Sequence, residues 1–353
     1  MLSPMDSLFL ALCDPESIGP SSNCRFSTQD LIPAELCRKA TFHGVHGLLL
    51  ANLQNPAWQD SASREWYEAM QKELTPIVRA DRARGLALRA QGERILQVLR
   101  ASNIPVQLIK GADFADHLYP RPELRSFTDI DLLVRPEDFQ SAQDLLLEWG
   151  CQQHHTGTLK HAATYGETAF TSKVAGMQLR VELHWNLVNS PALQKAMSVT
   201  LNDLLDEHGT LRHEGRLLLA AIHAGTGHQF DRLKFLLDLR QIFRRLSKQS
   251  NLPWLSERIT RTGCRQVMAT ACWLVENLFQ CNDARQSRLH LGIKHPALLW
   301  RWILSPGLVL RAHQPNIADA LRKNLYRQHL KNDPVGPPPM SADTEPAKQR
   351  GPL

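Results

Sequence analysis

Apolar residues recur at intervals of three and four from about Leu31 to Asn103, as in Ile77, Ala80, Leu86, Leu88, Ile95, Leu96 and Leu99. This spacing predicts helix up to the Ser102-Asn103 pair. The pattern then changes. Val106, Leu108 and Ile109 follow Pro105 as a short β-type run closed by Lys110-Gly111, Ala112 to Leu118 fits two helical turns, and Tyr119-Pro120-Arg121-Pro122 reads as a loop. Thr128 to Val134 predicts a second strand, and Pro136 to Trp149 a helix with proline near its start and Gly150 just past its end. Ala162 to Ser172 and Met177 to Leu187 predict a hairpin around Val174-Ala175-Gly176. Helical spacing returns after about Pro191, at Leu217 to His223, Leu233 to Phe243, Trp254 to Ile259 and Val267 to Phe279. There is no internal repeat, and strands alternate with helices only in the middle third. The pattern predicts an α+β chain: a helical region over 1–103, a strand-bearing core over 104–190, a second helical region over 191–332 and a disordered tail over 333–353. The last 20 residues of that tail contain six prolines.

Composition leaves this picture intact. With 43% apolar and 22% charged residues among 353, the chain has an ordinary globular profile and can bury a sizeable core. A net charge of +6 and a pI near 9.0 suit an anionic partner, and equally suit plain solubility. The seven cysteines are scattered with no C-x-x-C pair, which reads as reduced thiols in a cytoplasmic protein. Asp6 precedes the short N-terminal apolar run where a secretion signal would carry a basic residue. The apolar stretch from Pro296 to Leu310 is broken by Arg301, Pro306 and Gly307, so no membrane insertion is expected.

Chemistry enters with the second predicted strand. Asp129 and Asp131 are two apart and so share a strand face, in a segment otherwise made of Ile130, Leu132, Leu133 and Val134. Two adjacent carboxylates repel unless a cation sits between them, and hard oxygen ligands select Mg²⁺, which in turn binds phosphate oxygens. The bland alternative has one aspartate capping a turn and the other solvated. In Val181 to Leu187, Glu182 and His184 are again two apart, and a third carboxylate on a neighbouring strand would complete a two-metal ligand set. Lys110-Gly111 opens a helix after the first strand, where the glycine backbone and a lysine charge suit a phosphate, though an ordinary strand-to-helix turn has the same appearance. Arg125 would bind phosphate or form a surface ion pair.

These residues carry a resemblance. The run from Leu108-Ile109-Lys110-Gly111 through Leu118-Tyr119-Pro120, then Leu124 to Val134 (LRSFTDIDLLV), Pro136-Glu137-Asp138 and Val181 to Trp185 (VELHW), resembles the signature of a poorly characterised bacterial nucleotidyltransferase family of the polymerase-beta-like superfamily. A later helical block, His223 and His228 with Arg232-Leu233-Lys234 and Leu237-Asp238-Leu239, is similar as well, and the likeness spans roughly Leu88 to Gln280. It implies a small mixed sheet bearing the carboxylates, with helices around it. Superfamily members usually have Gly-Ser or Gly-Gly at the phosphate turn, whereas Gly111 is followed by Ala112 and lies 18 positions before Asp129. The expected activity is Mg²⁺-dependent transfer of a nucleoside monophosphate from an NTP to an acceptor hydroxyl on a small molecule, a peptide or protein, or RNA. Asp129, Asp131 and Glu182 would be catalytic and metal-binding, and Lys110, Gly111, Arg125 and His184 nucleotide-binding. The alternatives are a non-catalytic nucleotide-binding protein and a phosphotransferase on a related site.

Two further readings bear on the helical region. His223 and His228 are five apart and do not share a face of an α-helix as i, i+4 zinc ligands would. Arg232, Lys234, Arg240, Arg244 and Arg245 could bind phosphate or nucleic acid, but a solvated helix face explains most of the cluster. His154 and His155 beside Cys151 read as loop.

Overall fold

The computed structural model describes residues 2–17, 19, 32–59, 63–153, 164–246, 250–311 and 317–331. The expected disordered tail over 333–353 and the His154-His155 pair lie outside the described residues.

The architecture is α+β. Five strands form one mixed sheet in the order β1-β2-β5-β4-β3: β1 Val106–Ile109, β2 Asp129–Val134, β3 Gln152–Gln153, β4 Glu167–Val174 and β5 Met177–His184. β1 runs antiparallel to β2, β2 parallel to β5, and β4 antiparallel to both its neighbours. The short edge strand β3 has no counterpart in the expected pattern. β4 and β5 join through Ala175-Gly176, both at positive φ (48° and 79°), as a two-residue hairpin loop needs if its twist is to match the strands. Val174 therefore pairs with Met177, and the register continues to Ala169 opposite Glu182 and Glu167 opposite His184.

Alternation along the strands gives the sheet two different faces. Leu108, Ile130, Leu132, Val134, Phe170, Val181 and Leu183 pack with Leu88, Ile95, Leu96 and Leu99 of the long helix Arg64–Ala101 and with Ala142 and Leu146 of the helix Phe139–Glu148. The long helix starts at Ser63, whose side chain accepts the Trp66 backbone N–H, and it continues through Pro76. Ile109 and Leu133, on the opposite face, join a second core that unites the N-terminal helices Pro4–Leu12, Pro33–His43 and His46–Leu53 with the C-terminal helices His213–Ile222, Leu233–Arg245 and Arg265–Phe279. The first helical region is thus several helices; Gly44 ends one of them in the left-handed conformation, φ 69°.

The basic residues on the helix Leu233–Arg245 correct the expectation of a solvated face. Arg240 and Arg244 meet Asp14 at 2.9 and 2.8 Å, Arg245 meets Glu16 at 3.3 Å, and Arg232 lies 4.0 Å from the centroid of the Phe42 ring. They fasten the N-terminal segment to the C-terminal helices, a role that helical spacing alone could not reveal because the acids lie over 200 residues away. No described helix is long and apolar enough to cross a membrane. Six cysteines are described, all of them buried free thiols.

Candidate active site

The face of the sheet turned toward the C-terminal helices carries the polar residues. β2 is the central donor. Parallel pairing sets Asp131 beside Glu182 and Asp129 beside Arg180, and the hairpin register adds Glu167 opposite His184. Lys110 reaches the same face from the end of β1, where it takes φ 55° and ψ −119°, a backbone conformation that a residue with a Cβ adopts only when its surroundings enforce it. The next residue must be small: a Cβ on Gly111 would stand 3.0 Å from Cδ2 of Phe127. The strained turn thus aims the lysine across the sheet.

The resulting cluster is tight. Lys110 Nζ donates to Asp131 Oδ1 at 2.7 Å, and His184 Nε2 contacts the same oxygen at 3.1 Å. His184 Nδ1 lies 3.2 Å from Glu167 Oε2, and Nε2 lies 3.7 Å from Glu182 Oε2, while Arg180 Nε donates to Glu182 Oε1 at 2.7 Å. Burial opposes ionisation of Asp131, but Lys110 and His184 outweigh it and hold the carboxyl well below the usual carboxylate range. Burial and the Lys110 charge oppose protonation of His184, and Asp131 and Glu167 outweigh both, so its pKa rises.

Asp129 behaves in the opposite way. It has no hydrogen bond or ion pair among the described residues, and burial, followed by the charges of Asp131 and Glu182, pushes its pKa up to about 6. Lys110 and Lys234 act on it only at a distance and lower its pKa by less than burial and the two acids raise it.

The cleft over this cluster has a volume of about 360 Å³, within the range of small-molecule sites. Its far wall comes from the helical layer: His223, Thr226, His228, Lys234 and Phe235. His223–Gly227 is a π-helical turn, continuous with the helix His213–Ile222. One turn of such a helix holds an extra residue, so positions five apart do meet. The rings of His223 and His228 are 4.8 Å apart, and His228 stacks on Phe235 at 4.3 Å. This corrects the α-helical argument that kept the two histidines apart. Burial keeps both neutral: it drives His223 well below its ordinary value and brings His228 to about 4.

Of the residues expected at the site, Lys110, Gly111, Arg125, Asp129, Asp131, Glu182 and His184 all line this cleft. Their engagements differ. Arg125 donates to Asp238 through Nε and Nη2, each at 2.8 Å, and to the Gly111 carbonyl through Nη1 at 3.3 Å, and Tyr119 Oη donates to the Asp238 carboxylate at 2.8 Å. This buried pair ties the segment before β2 to the helix Leu233–Arg245. A second pair, Arg216 with Asp113 at 2.7 and 2.8 Å, does the same for the helix Gly111–Leu118. Sequence reasoning missed Glu167 and Asp238. Counting back from the two-residue hairpin turn would have found Glu167; Asp238 stands in a block that carries the resemblance, but nothing local gives its partner, 113 residues away.

Among the described residues, donor atoms of Asp131, Glu182 and His184 lie within 4.8 Å of one another, close enough to hold one metal ion. A family model described as an uncharacterised nucleotidyltransferase matches residues 31–280. No curated protein and no solved structure matched the chain.

Proposed function

Because the chain belongs to this uncharacterised nucleotidyltransferase family, we propose that it moves a nucleoside monophosphate from an NTP to an acceptor hydroxyl, releasing pyrophosphate, at a polymerase-beta-like carboxylate site. The observation that carries the reading is the convergence of Asp129, Asp131 and Glu182 on adjacent strands, with Asp129 left without a protein partner. Three carboxylates beside one imidazole fit Mg²⁺, a hard cation that prefers oxygen donors. Asp129, Asp131 and Glu182 would hold it. Bound there, the cation would neutralise charge on the triphosphate and on the transition state.

The chain's own groups do the rest. Lys110 and His184 both contact Oδ1 of Asp131, so they fix the orientation of that carboxylate and keep it ionised. Glu167 steadies His184 from its other nitrogen. Glu182, held through Oε1 by Arg180, is placed to accept the proton of the acceptor hydroxyl as its oxygen bonds to the α-phosphorus and the bond to the β-phosphate breaks. Arg125 acts through Asp238 as a positioning residue for the segment that leads into β2. Three acceptor classes suit the reading: a small molecule, a peptide or protein, and RNA.

NTPs labelled on the α- or the γ-phosphate test the reading. Label passing from the α position into product supports nucleotidyl transfer. Label from the γ position would assign a phosphotransferase, and NTP binding without any transfer would assign a binding protein.

Glu182→Gln is expected to lower turnover by roughly 100-fold, the lower end of general base effects, with NTP affinity changed much less. Equal turnover in variant and parent would remove Glu182 from the reaction.

The raised pKa of Asp129 predicts a pH dependence. Folding raises the affinity of this carboxyl for a proton, so its contribution to the stability of the metal-free protein is present at low pH and is lost as pH rises through about 6. Metal binding needs the ionised form and has the opposite trend. Thermal stabilisation by Mg²⁺ should therefore be seen at pH 7.5, shrink through about 6 and be absent well below it. A magnesium-induced shift that is constant across this range would contradict the assignment of Asp129.

A further inference from the structure

Four cations line the cleft: Lys110, Arg125, Arg180 and Lys234. Three have carboxylate partners, Asp131, Asp238 and Glu182 respectively. Lys234 has no ion pair and no hydrogen bond among the described residues; its ammonium flanks the Phe235 ring, 5.2 Å from the centroid, and feels the charges of Asp238 and Asp129 only at a distance.

Its position is nevertheless built. A Cβ on Gly44 would stand 2.8 Å from Cδ of Lys234, so the lysine stem lies against the left-handed turn that ends the helix Pro33–His43. That turn is secured to the base of the same helix, where Leu233 N–H donates to His43 Nδ1 at 3.2 Å. Lys234 also sits in the first turn of the 13-residue helix Leu233–Arg245, whose N-terminal end carries partial positive charge.

We propose that Lys234 is an anion-binding residue that receives phosphate oxygens of the nucleoside triphosphate across the cleft from Asp129. This deepens the nucleotidyltransferase reading and rests on it for the identity of the anion. Among the described residues the cleft holds one acid without an ion pair, Asp129, and one lysine or arginine without one, Lys234, and no ion pair joins the two. A ligand that fits both must present a cation to the acid and an anion to the base, and a divalent metal chelated by a triphosphate does so. Arg125 does not serve as this anchor, since Asp238 occupies its guanidinium on two nitrogens.

Calorimetric titration of inorganic triphosphate with Mg²⁺ into the full chain tests the proposal. The parent is expected to bind, Lys234→Met to bind at least about ten-fold more weakly, as for loss of a charge-assisted hydrogen bond, and Lys234→Arg to stay within about three-fold of the parent. Unchanged affinity in Lys234→Met would overturn the role of Lys234. If the methionine variant does not fold, acylation of Lys234 in the parent, followed by mass spectrometry, replaces it: triphosphate should protect this lysine, and equal labelling with and without triphosphate would overturn the proposal. The reading it rests on fails separately. Protection of Lys234 without label transfer from α-labelled NTP would keep the anion site and discard nucleotidyl transfer, and no triphosphate binding by the parent would discard both.

Discussion

Asp131→Ala should abolish turnover, by at least about 1,000-fold, or about 4 kcal/mol of transition-state stabilisation at 1.4 kcal/mol per factor of ten, with only a modest loss of stability. Asp131 is the carboxylate on which the cleft converges: Lys110 and His184 both contact its Oδ1, and it is the in-register neighbour of Glu182. Its removal deletes a proposed metal ligand and frees Lys110 to turn elsewhere. Because Asp131, Lys110 and His184 all line an open cleft, water can solvate what the deletion leaves behind. Turnover from α-labelled NTP and a urea melt, run side by side, check this. Activity within ten-fold of the parent would remove Asp131 from the chemistry, and an unfolded variant would make it a structural residue instead.

Asp238→Ala should show the reverse balance, a stability loss of about 3–5 kcal/mol, the usual cost of stripping one partner from a buried ion pair. Asp238 is 1% exposed, and its two oxygens take three donors, two from Arg125 and one from Tyr119. Without it the buried guanidinium keeps only the Gly111 carbonyl, 3.3 Å from Nη1, and the Tyr119 hydroxyl loses its acceptor. Burial, the largest cause that holds the Tyr119 hydroxyl well above its ordinary pKa, persists without Asp238 and opposes its ionisation beside the arginine. Urea midpoints at constant slope give the value. A loss under about 1 kcal/mol would mean that the helix Leu233–Arg245 is held to the sheet by apolar packing alone.

Much of the sheet was legible because its strands are short apolar runs with clear boundaries. Thr128 to Val134 anticipated β2 within one residue, and the shared face of Asp129 and Asp131 follows from strand alternation. The placement of Glu182 next to Asp131 required a parallel pairing that no local pattern encodes; the expectation of a third carboxylate on a neighbouring strand rested on the chemistry of a metal site. The far wall of the cleft was not legible. His223 and His228 meet through a π-turn, and a period read as 3.6 residues separates them. Lys234 reads as one more charge on an amphipathic helix until Gly44, 190 positions earlier, is seen beneath its stem. Side chains whose partners are distant in sequence leave no trace in spacing.

The attachment of that far wall bears on how the molecule is made. Strands β1 to β5 lie within residues 106–184, so the sheet can close soon after that stretch is synthesised. The opposite wall waits for residues 223–235 and then depends on contacts reaching back 190 residues, from Arg232 to Phe42 and from Leu233 to His43. Closing so long a loop costs entropy before any packing rewards it, and folds rich in such contacts are slow. During synthesis the Pro33–His43 helix can pack early on the helices His46–Leu53 and Arg64–Ala101, with Cys37 Sγ 3.6 Å from Met70 Sδ, but its end at Phe42 and His43 waits for Arg232 and Leu233 until most of the chain exists. Refolding should accordingly be biphasic, the strand signal recovering first and triphosphate binding last.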